Sequence, residues 1–316
     1  MLHKVQKAIE ASKDNKWVVV ELDDNRHQAY TLRQIYRDDG WKSELTYDTR
    51  AGKYILSLNR AHMAKIVLDI QDLYQWFPAK DGTINHVLHK IDLKIAQGQF
   101  VAMVGSSGCG KSTLLRAILG THPQQRGKIY VSGMPVNGPN RHVGIVYQHY
   151  SLYDFLTVEK NVAVGPMWDK TNIPQRMLMP WFWWPLRKKH LQESIELLTK
   201  VKLGHVLGHY PEELSGGMRQ RVAIAQALIM KPKLLLLDEP FGALDESTRE
   251  ELQKMLLHLY QENLQAKAKG EDPPWTVIII THELEEALYV SDRLIGLSRN
   301  WYDGRDTGEK VGATKI

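Results

Sequence analysis

The run from Val101 to Gly120, VAMVGSSGCGKSTLLRAILG, holds the residues best spaced for chemistry. An apolar stretch leads into a loop with three glycines, and a helix is predicted to open at Lys111 and to stop at Gly120. Glycines in that spacing let successive backbone N–H groups turn inward, and the helix start adds its positive end. The loop of Gly105, Ser106, Ser107, Gly108, Cys109 and Gly110 therefore suits a polyphosphate. Lys111 is spaced to reach the β- and γ-phosphates, Ser112 to offer a hydroxyl to Mg²⁺, and Thr113 completes the group.

Other residues with chemical potential lie downstream. LLLLDEP, Leu234 to Pro240, reads as a fully buried strand ending in two carboxylates. Asp238 is placed to hold Mg²⁺ through water, and Glu239 to accept a proton from a hydrolytic water. Gln148 follows the strand in RHVGIVYQ, where its amide oxygen can meet Mg²⁺ or orient the attacking water. LSGGMRQR sets Ser215, Gly216 and Gly217 ahead of the helix VAIAQALIM, a second helix start able to bind an anion. Asp245 lies on the loop FGALDES, and His282 ends the strand in WTVIIITHE, on the crevice side of an α/β sheet. Tyr74, Trp76 and Phe77 offer aromatic faces for an adenine; Phe77 is preferred, with Trp76 and Tyr74 as alternatives.

The elements that must position these residues follow from periodicity. Alternation predicts strands at Ile66 to Ile70 and Val87 to Ile95, with a turn at Gln97-Gly98 before the phosphate-loop strand. Ahead of them, Met1 to His62 reads α-β-α-β-β, with Arg50-Ala51-Gly52 as a hairpin turn. That segment carries eleven Lys and Arg against nine Asp and Glu, too even a balance for a nucleic-acid surface. It fits a structural appendage or a partner-docking module. Gln261 to Pro274, QENLQAKAKGEDPP, reads as a solvated loop, and the tail after Ser298 has no core-forming pattern.

Composition limits the options. The chain has 316 residues, 43% of them hydrophobic, which is ample for more than one domain. No apolar run approaches the roughly 20 residues that span a bilayer, and the charged start MLHKVQKAIEASK does not read as a signal peptide. The one cysteine, Cys109, fits a reducing compartment and reads as a tolerated small side chain rather than a nucleophile. A net charge of +5 is no nucleic-acid signature.

Taken in order, GSSGCGKS, Gln148, LSGGM, LLLLDE, ALD and His282 resemble the Walker A, Q-loop, signature, Walker B, D-loop and switch-histidine motifs of ABC transporter ATP-binding subunits. The resemblance covers Lys65 to about Ser298 and is most similar to importers of the nitrate, sulfonate and taurine group. It implies an α/β ABC-type P-loop ATPase, with a RecA-like core, an antiparallel β-subdomain and a helical subdomain, beside the small N-terminal α+β module. The implied division is 1–62, 63–300 and a tail at 301–316, with the helical subdomain at about 150–220.

The resemblance further implies ATP and Mg²⁺ as ligands, Glu239, His282 and Gln148 as catalytic residues, and Ser112, Gln148 and Asp238 on the metal. Ser215, Gly216 and Gly217 would complete the nucleotide site across a head-to-tail dimer with a second ATPase subunit, and Asp245 is a further implied nucleotide-binding residue. The implied partners are a membrane permease and, for import, a periplasmic or extracellular substrate-binding protein, on the cytoplasmic face of the inner membrane, with no nucleic acid. An exporter or lipid-transport ATPase uses the same residues. A soluble ABC ATPase fits less well, because the sequence has one nucleotide domain, no room for a long coiled coil between Gln148 and Ser215, and no broad basic tract.

Two departures stand out. Met218 replaces the commoner glutamine of the signature, so contacts of that side chain do not carry over. An insertion at 165–189, GPMWDKTNIPQRMLMPWFWWPLRKK, carries five Lys and Arg against one Asp beside Trp168, Trp181, Trp183 and Trp184. Such a composition suits lipid headgroups or a permease groove; the plain alternative is a hydrophobic plug over the helical subdomain. Leu186, His190, Leu191, Ile195, Leu198 and Val201 then continue as an amphipathic helix.

Overall fold

The computed structural model describes residues 2–11, 17–22, 25–38, 42–49, 51–59, 65–78, 84–148, 151–170, 180–242 and 244–298. At its centre, short apolar runs form a five-stranded parallel sheet. The strands are β6 (Phe100–Val104), β9 (Val143–Val146), β10 (Leu234–Asp238), β11 (Val277–Thr281) and β12 (Arg293–Gly296), and they lie in the order β12-β6-β11-β10-β9. Buried parallel strands must feed a core on each face, which explains runs with no polar alternation. Leu234, Leu236, Ile278 and Ile280 enter one core, and Leu235, Leu237, Val277 and Ile279 the other.

The first core is closed by Leu114, Leu115 and Ile118 of helix α3 (Lys111–Leu119) and by a four-stranded antiparallel sheet. Its strands are β4 (Ile66–Pro78), β5 (Ile84–Ala96), β7 (Arg126–Val131) and β8 (Met134–Pro135), ordered β5-β4-β7-β8. Strands β4 and β5 extend well past the alternating stretches that announce them, because register shifts between Ile70 and Trp76 absorb the break in period. Tyr74, Trp76 and Phe77 accordingly lie on β4 rather than between strands.

The second core receives Ile224 and Leu228 of α6 (Gly216–Leu228) and Leu252, Leu256 and Leu259 of α7 (Glu246–Ala268). Helix α7 corrects one sequence expectation. Gln261 to Ala268 continue the helix instead of forming a loop, since Gln, Glu, Leu, Lys and Ala all favour it. The fully buried Asn263 fastens these last turns. Its Nδ2 donates to the carbonyls of Gly98 at 3.2 Å and Trp275 at 2.6 Å, and its Oδ1 accepts from Trp275 N–H at 2.9 Å.

Helices α4 (Val158–Lys170) and α5 (Pro180–Lys200) pack with α6 around Val158, Val162, Leu198 and Val222. Most of the Trp-bearing insertion is therefore the end of α4 and the start of α5; residues 171–179 lie outside the described residues. Helix α8 (Leu284–Val290) follows β11. Among the described residues no helix is long and apolar enough to cross a membrane.

The N-terminal segment forms α1 (Leu2–Ala11), β1 (Trp17–Leu22), α2 (Arg26–Asp38), β2 (Lys42–Asp48) and β3 (Lys53–Asn59), with an antiparallel sheet ordered β1-β3-β2. Its core is its own: Val5, Val18, Val20, Leu22, Leu32, Leu56 and Leu58. Gly52, the last residue of the predicted Arg50-Ala51-Gly52 turn, lies in the β2–β3 hairpin at φ 63°. Residues 299–316, expected as a tail, lie outside the described residues.

Candidate active site

Parallel strands deliver their C-terminal ends to one edge, and Val104, Val146, Asp238 and Thr281 all end there. The loop after β6 curls over that edge. Gly110 caps α3 at φ 96°, a conformation glycine adopts without a side-chain clash. At Gly105 the constraint is space, since a Cβ would lie 2.5 Å from the Leu297 carbonyl and 2.7 Å from Cys109 Sγ. Cys109 itself is buried in the first core, which agrees with its reading as packing rather than reactivity. Lys111 bends back, its Nζ donating to the carbonyls of Gly105 at 2.5 Å and Ser106 at 3.1 Å. An ammonium held within a glycine-rich loop at a helix start suits an anion. Ser106, Ser107 and Ser112 are exposed at its rim, and Thr113 is half-buried.

The two carboxylates after β10 differ in environment. Burial first, and then the charge of Glu239, push the Asp238 carboxyl above its ordinary value, while Arg116 and Lys111 pull the other way. Glu239 has φ 47°, in the left-handed region uncommon for a residue with a side chain. Its N–H still donates to the Ile280 carbonyl at 2.8 Å, so the turn begins only after the sheet hydrogen bond is made.

Two further predicted residues meet Glu239. Gln148 Nε2 donates to its Oε2 at 3.3 Å, and His282 Nδ1 lies 3.6 Å from its Oε1. Three strand ends that are far apart in sequence thus bring a carboxylate, an amide and an imidazole together. A supporting network behind His282 is not announced by any motif. Thr281 Oγ1 donates to the buried Glu286 at 2.8 Å and accepts from Glu283 N–H at 3.0 Å, while Arg249 of α7 lies 3.4 Å from Glu286. Its only sequence trace is Thr and Glu five residues apart in THELEE, and that spacing alone carries little information.

Ser215 caps α6, its Oγ accepting from Met218 N–H at 3.3 Å, and it remains exposed. Gly217 is pressed against α7, where a Cβ would overlap Thr248 Cγ2. Asp245 caps α7, accepting from Ser247 Oγ at 2.6 Å and Thr248 N–H at 3.2 Å. Those hydrogen bonds, Ser247 first, hold its carboxyl down at about 2. The structure therefore gives Ser215 and Asp245 capping roles, and among the described residues no hydrogen bond or ion pair joins either to Glu239.

On the aromatic side, the Phe77 ring stands edge-on to His122 with centroids 6.1 Å apart. Tyr74 carries the Arg126 guanidinium over its face at 4.8 Å and meets His89 at 4.9 Å. Trp76 lies 5.9 Å from His86.

Comparison with known proteins decides the family. The description "ABC transporter" matches residues 88–242. An aliphatic sulfonates import ATP-binding protein, SsuB of Bacillus cereus, is 36% identical over 234 residues, covering 74% of this chain and 82% of that protein. The chain belongs to the ABC transporter ATP-binding family.

Other ABC relatives include the bicarbonate transport ATP-binding protein CmpC of Synechococcus elongatus, 37% identical over 243 residues, and the nitrate import ATP-binding protein NrtC of Synechocystis, 39% identical over 231 residues. These matches cover 77% and 73% of this chain but only about a third of those proteins, 32% and 31%. Among solved ABC structures, the dimeric cassette MJ0796 in a post-hydrolysis state bound to ADP and Pi aligns with TM-score 0.58 and 26% identity, covering 72% of this chain and 93% of that one. The α/β fold with its antiparallel sheet and helical part is the ABC cassette fold.

Proposed function

We propose that this chain is the ATP-hydrolysing subunit of an importer, working as a head-to-tail dimer that drives a separate membrane permease from the cytoplasmic face. The observation that carries the reading is Glu239 at the phosphate-loop edge with Gln148 on one carboxylate oxygen and His282 beside the other. A base fixed in this way can take a proton from a water aimed at a γ-phosphate. The water oxygen bonds to phosphorus as the bond to the β-bridging oxygen breaks, releasing ADP and phosphate. Phe77 is assigned as the ring beneath adenine.

The donors available for Mg²⁺ are the Ser112 hydroxyl, the Gln148 amide oxygen and the Asp238 carboxylate, hard oxygens of the kind this ion prefers. They fit it, because burial, and then the neighbouring Glu239, disfavour the charged form of Asp238, which a cation would relieve. Bound Mg²⁺ supplies charge neutralisation to the β- and γ-phosphate oxygens.

Ser215 and the N–H groups of Gly216 and Gly217 do not reach Glu239 within this chain, which supports their use on the nucleotide of a second copy, with Asp245 beside them. The dimeric cassette among the structural relatives supports a dimer. Release of γ-phosphate then removes what holds the halves together. An exposed aromatic patch just beyond Gln148 fits permease docking: Tyr153 lies 5.7 Å from Phe155 and 5.8 Å from Trp168, and Phe155 is 73% exposed. The relatives named for nitrate and sulfonate import support a small anion as cargo and a substrate-binding protein as a further partner.

Glu239→Gln keeps the shape and removes the base. Turnover is expected to fall by about 10²–10⁴, while ATP brings the variant to a stable dimer on size-exclusion chromatography. Near-normal turnover in that variant would rule out Glu239 as the base.

A further inference from the structure

The first three turns of α5 have an unusual surface. Trp181 and Trp184 are each 71% exposed, so these two indoles do not form the hydrophobic plug that the sequence also allows. At 100° per residue, Trp181, Trp184 and Lys188 share one face of the helix. His190 and Ser194, on the other side, are buried, and Ser194 Oγ donates to the Glu159 carbonyl of α4 at 2.7 Å. Arg187, Lys188 and Lys189 are all exposed. No acidic residue occurs in α5 before Glu193, whose Oε2 meets His190 Nδ1 at 2.9 Å while its Oε1 lies 4.0 Å from Lys189 Nζ.

A helix that turns two tryptophans outward among three cations, of which Lys189 alone lies near an acid of this helix, Glu193 at 4.0 Å, is complementary to one kind of surface. Indole rings settle at the headgroup level of a bilayer, and lysine and arginine are drawn to anionic headgroups. A protein groove of ordinary composition has no need for an all-cationic rim. We propose that the N-terminal turns of α5 bind the surface of an anionic lipid bilayer, with Trp181 and Trp184 in the headgroup layer and Arg187, Lys188 and Lys189 on lipid phosphates. The contact is separate from the Tyr153–Phe155–Trp168 patch and needs neither nucleotide nor permease. It goes beyond the hydrolytic reading and can fail without it.

The test is flotation of the purified full-length chain with vesicles of phosphatidylcholine alone or containing phosphatidylglycerol, in the absence of any permease, with ATP hydrolysis in solution measured on the same preparations. The chain is expected to float with the phosphatidylglycerol vesicles, less at high salt, and not with phosphatidylcholine. Trp181→Ser with Trp184→Ser should abolish flotation. Lys188→Glu, a surface change that leaves both indoles and the helix in place, should weaken it about tenfold without altering ATP hydrolysis. Equal flotation with both vesicle types, undiminished flotation of either variant, or recruitment only when permease is present in the vesicles would overturn the proposal, the last in favour of a protein partner.

Discussion

Glu239 is the residue on which the site turns, and its backbone departs from local preference at φ 47°. A left-handed residue with a side chain costs about 1–3 kcal/mol, and here it directly precedes a proline. What it achieves is direction: the carboxylate leaves the line of β10 and faces Gln148 and His282. Since both neighbours act on the same group, Gln148→Ala and His282→Ala are each expected to lower kcat by about tenfold or more with little change in the KM for ATP. The double variant should lose much less than the product of the two, because residues acting as a unit are non-additive. Steady-state kinetics on the three proteins would decide; losses that multiply fully would mean the two residues act independently. At this scale the sequence is informative wherever chemistry is written in contiguous letters, as in GCGKST and LLLLDEP. It is silent on the φ of Glu239 and on the Thr281–Glu286–Arg249 network, because both depend on strands brought together from distant parts of the chain.

At the scale of elements, the junction between α6 and α7 determines how the signature motif is held. Arg221 of α6 pairs with Glu251 of α7 at 3.0 Å and donates to the Val201 carbonyl at 3.3 Å, while Gly217 lies against Thr248. Gly217→Ala is expected to destabilise the protein by about 1–3 kcal/mol through overpacking. Thr248→Ser, which removes the obstructing methyl and keeps the N–H that Asp245 caps, should recover much of that loss in the double variant. Chemical denaturation of the four proteins measures the coupling, and strict additivity would disprove the contact.

Element boundaries are the least legible part of the fold. The end of α7 reads as a loop because its residues are polar, yet polar residues with high helix propensity extend a helix when a buried Asn263 anchors the end. The Trp-bearing insertion reads as a single inserted stretch at 165–189, whereas packing against the helical core divides most of it between α4 and α5. A third element-scale feature concerns β12. Asp292, just before it, accepts from Phe100 N–H at 3.2 Å, and burial raises its carboxyl above the ordinary 3.8. The folded chain therefore holds this proton more tightly than the unfolded one. The stability it contributes is fully present below the ordinary value and is lost as pH rises through the raised one. Asp292→Asn keeps an acceptor and cannot titrate, so thermal melts from about pH 4 upward should show the parent losing stability relative to the variant. A pH-independent difference between the two would exclude this linkage.

The whole molecule divides by its cores. Every residue assigned to the nucleotide site lies on or between the strands and helices after β3, and among the described residues the core of residues 5–58 shares no side chain with the clusters that support those elements. A segment with its own sheet and its own apolar centre can lose its structure without disturbing a catalytic edge built from β6, β9, β10 and β11. Leu56 lies at that centre on β3 and is fully buried. Leu56→Ala removes buried methyl groups and leaves a cavity, at a cost of about 2–5 kcal/mol to the unit that contains it. Calorimetry on the parent chain is expected to resolve two transitions. In the variant the one belonging to the N-terminal module should move down, and the one belonging to the nucleotide domain should stay in place and alone respond to ATP. ATP hydrolysis below the first transition should be unchanged. A single transition that shifts as a whole would show that the module and the nucleotide domain unfold as one cooperative body, and would make Met1 to His62 part of the ATPase's own scaffold rather than an addition to it.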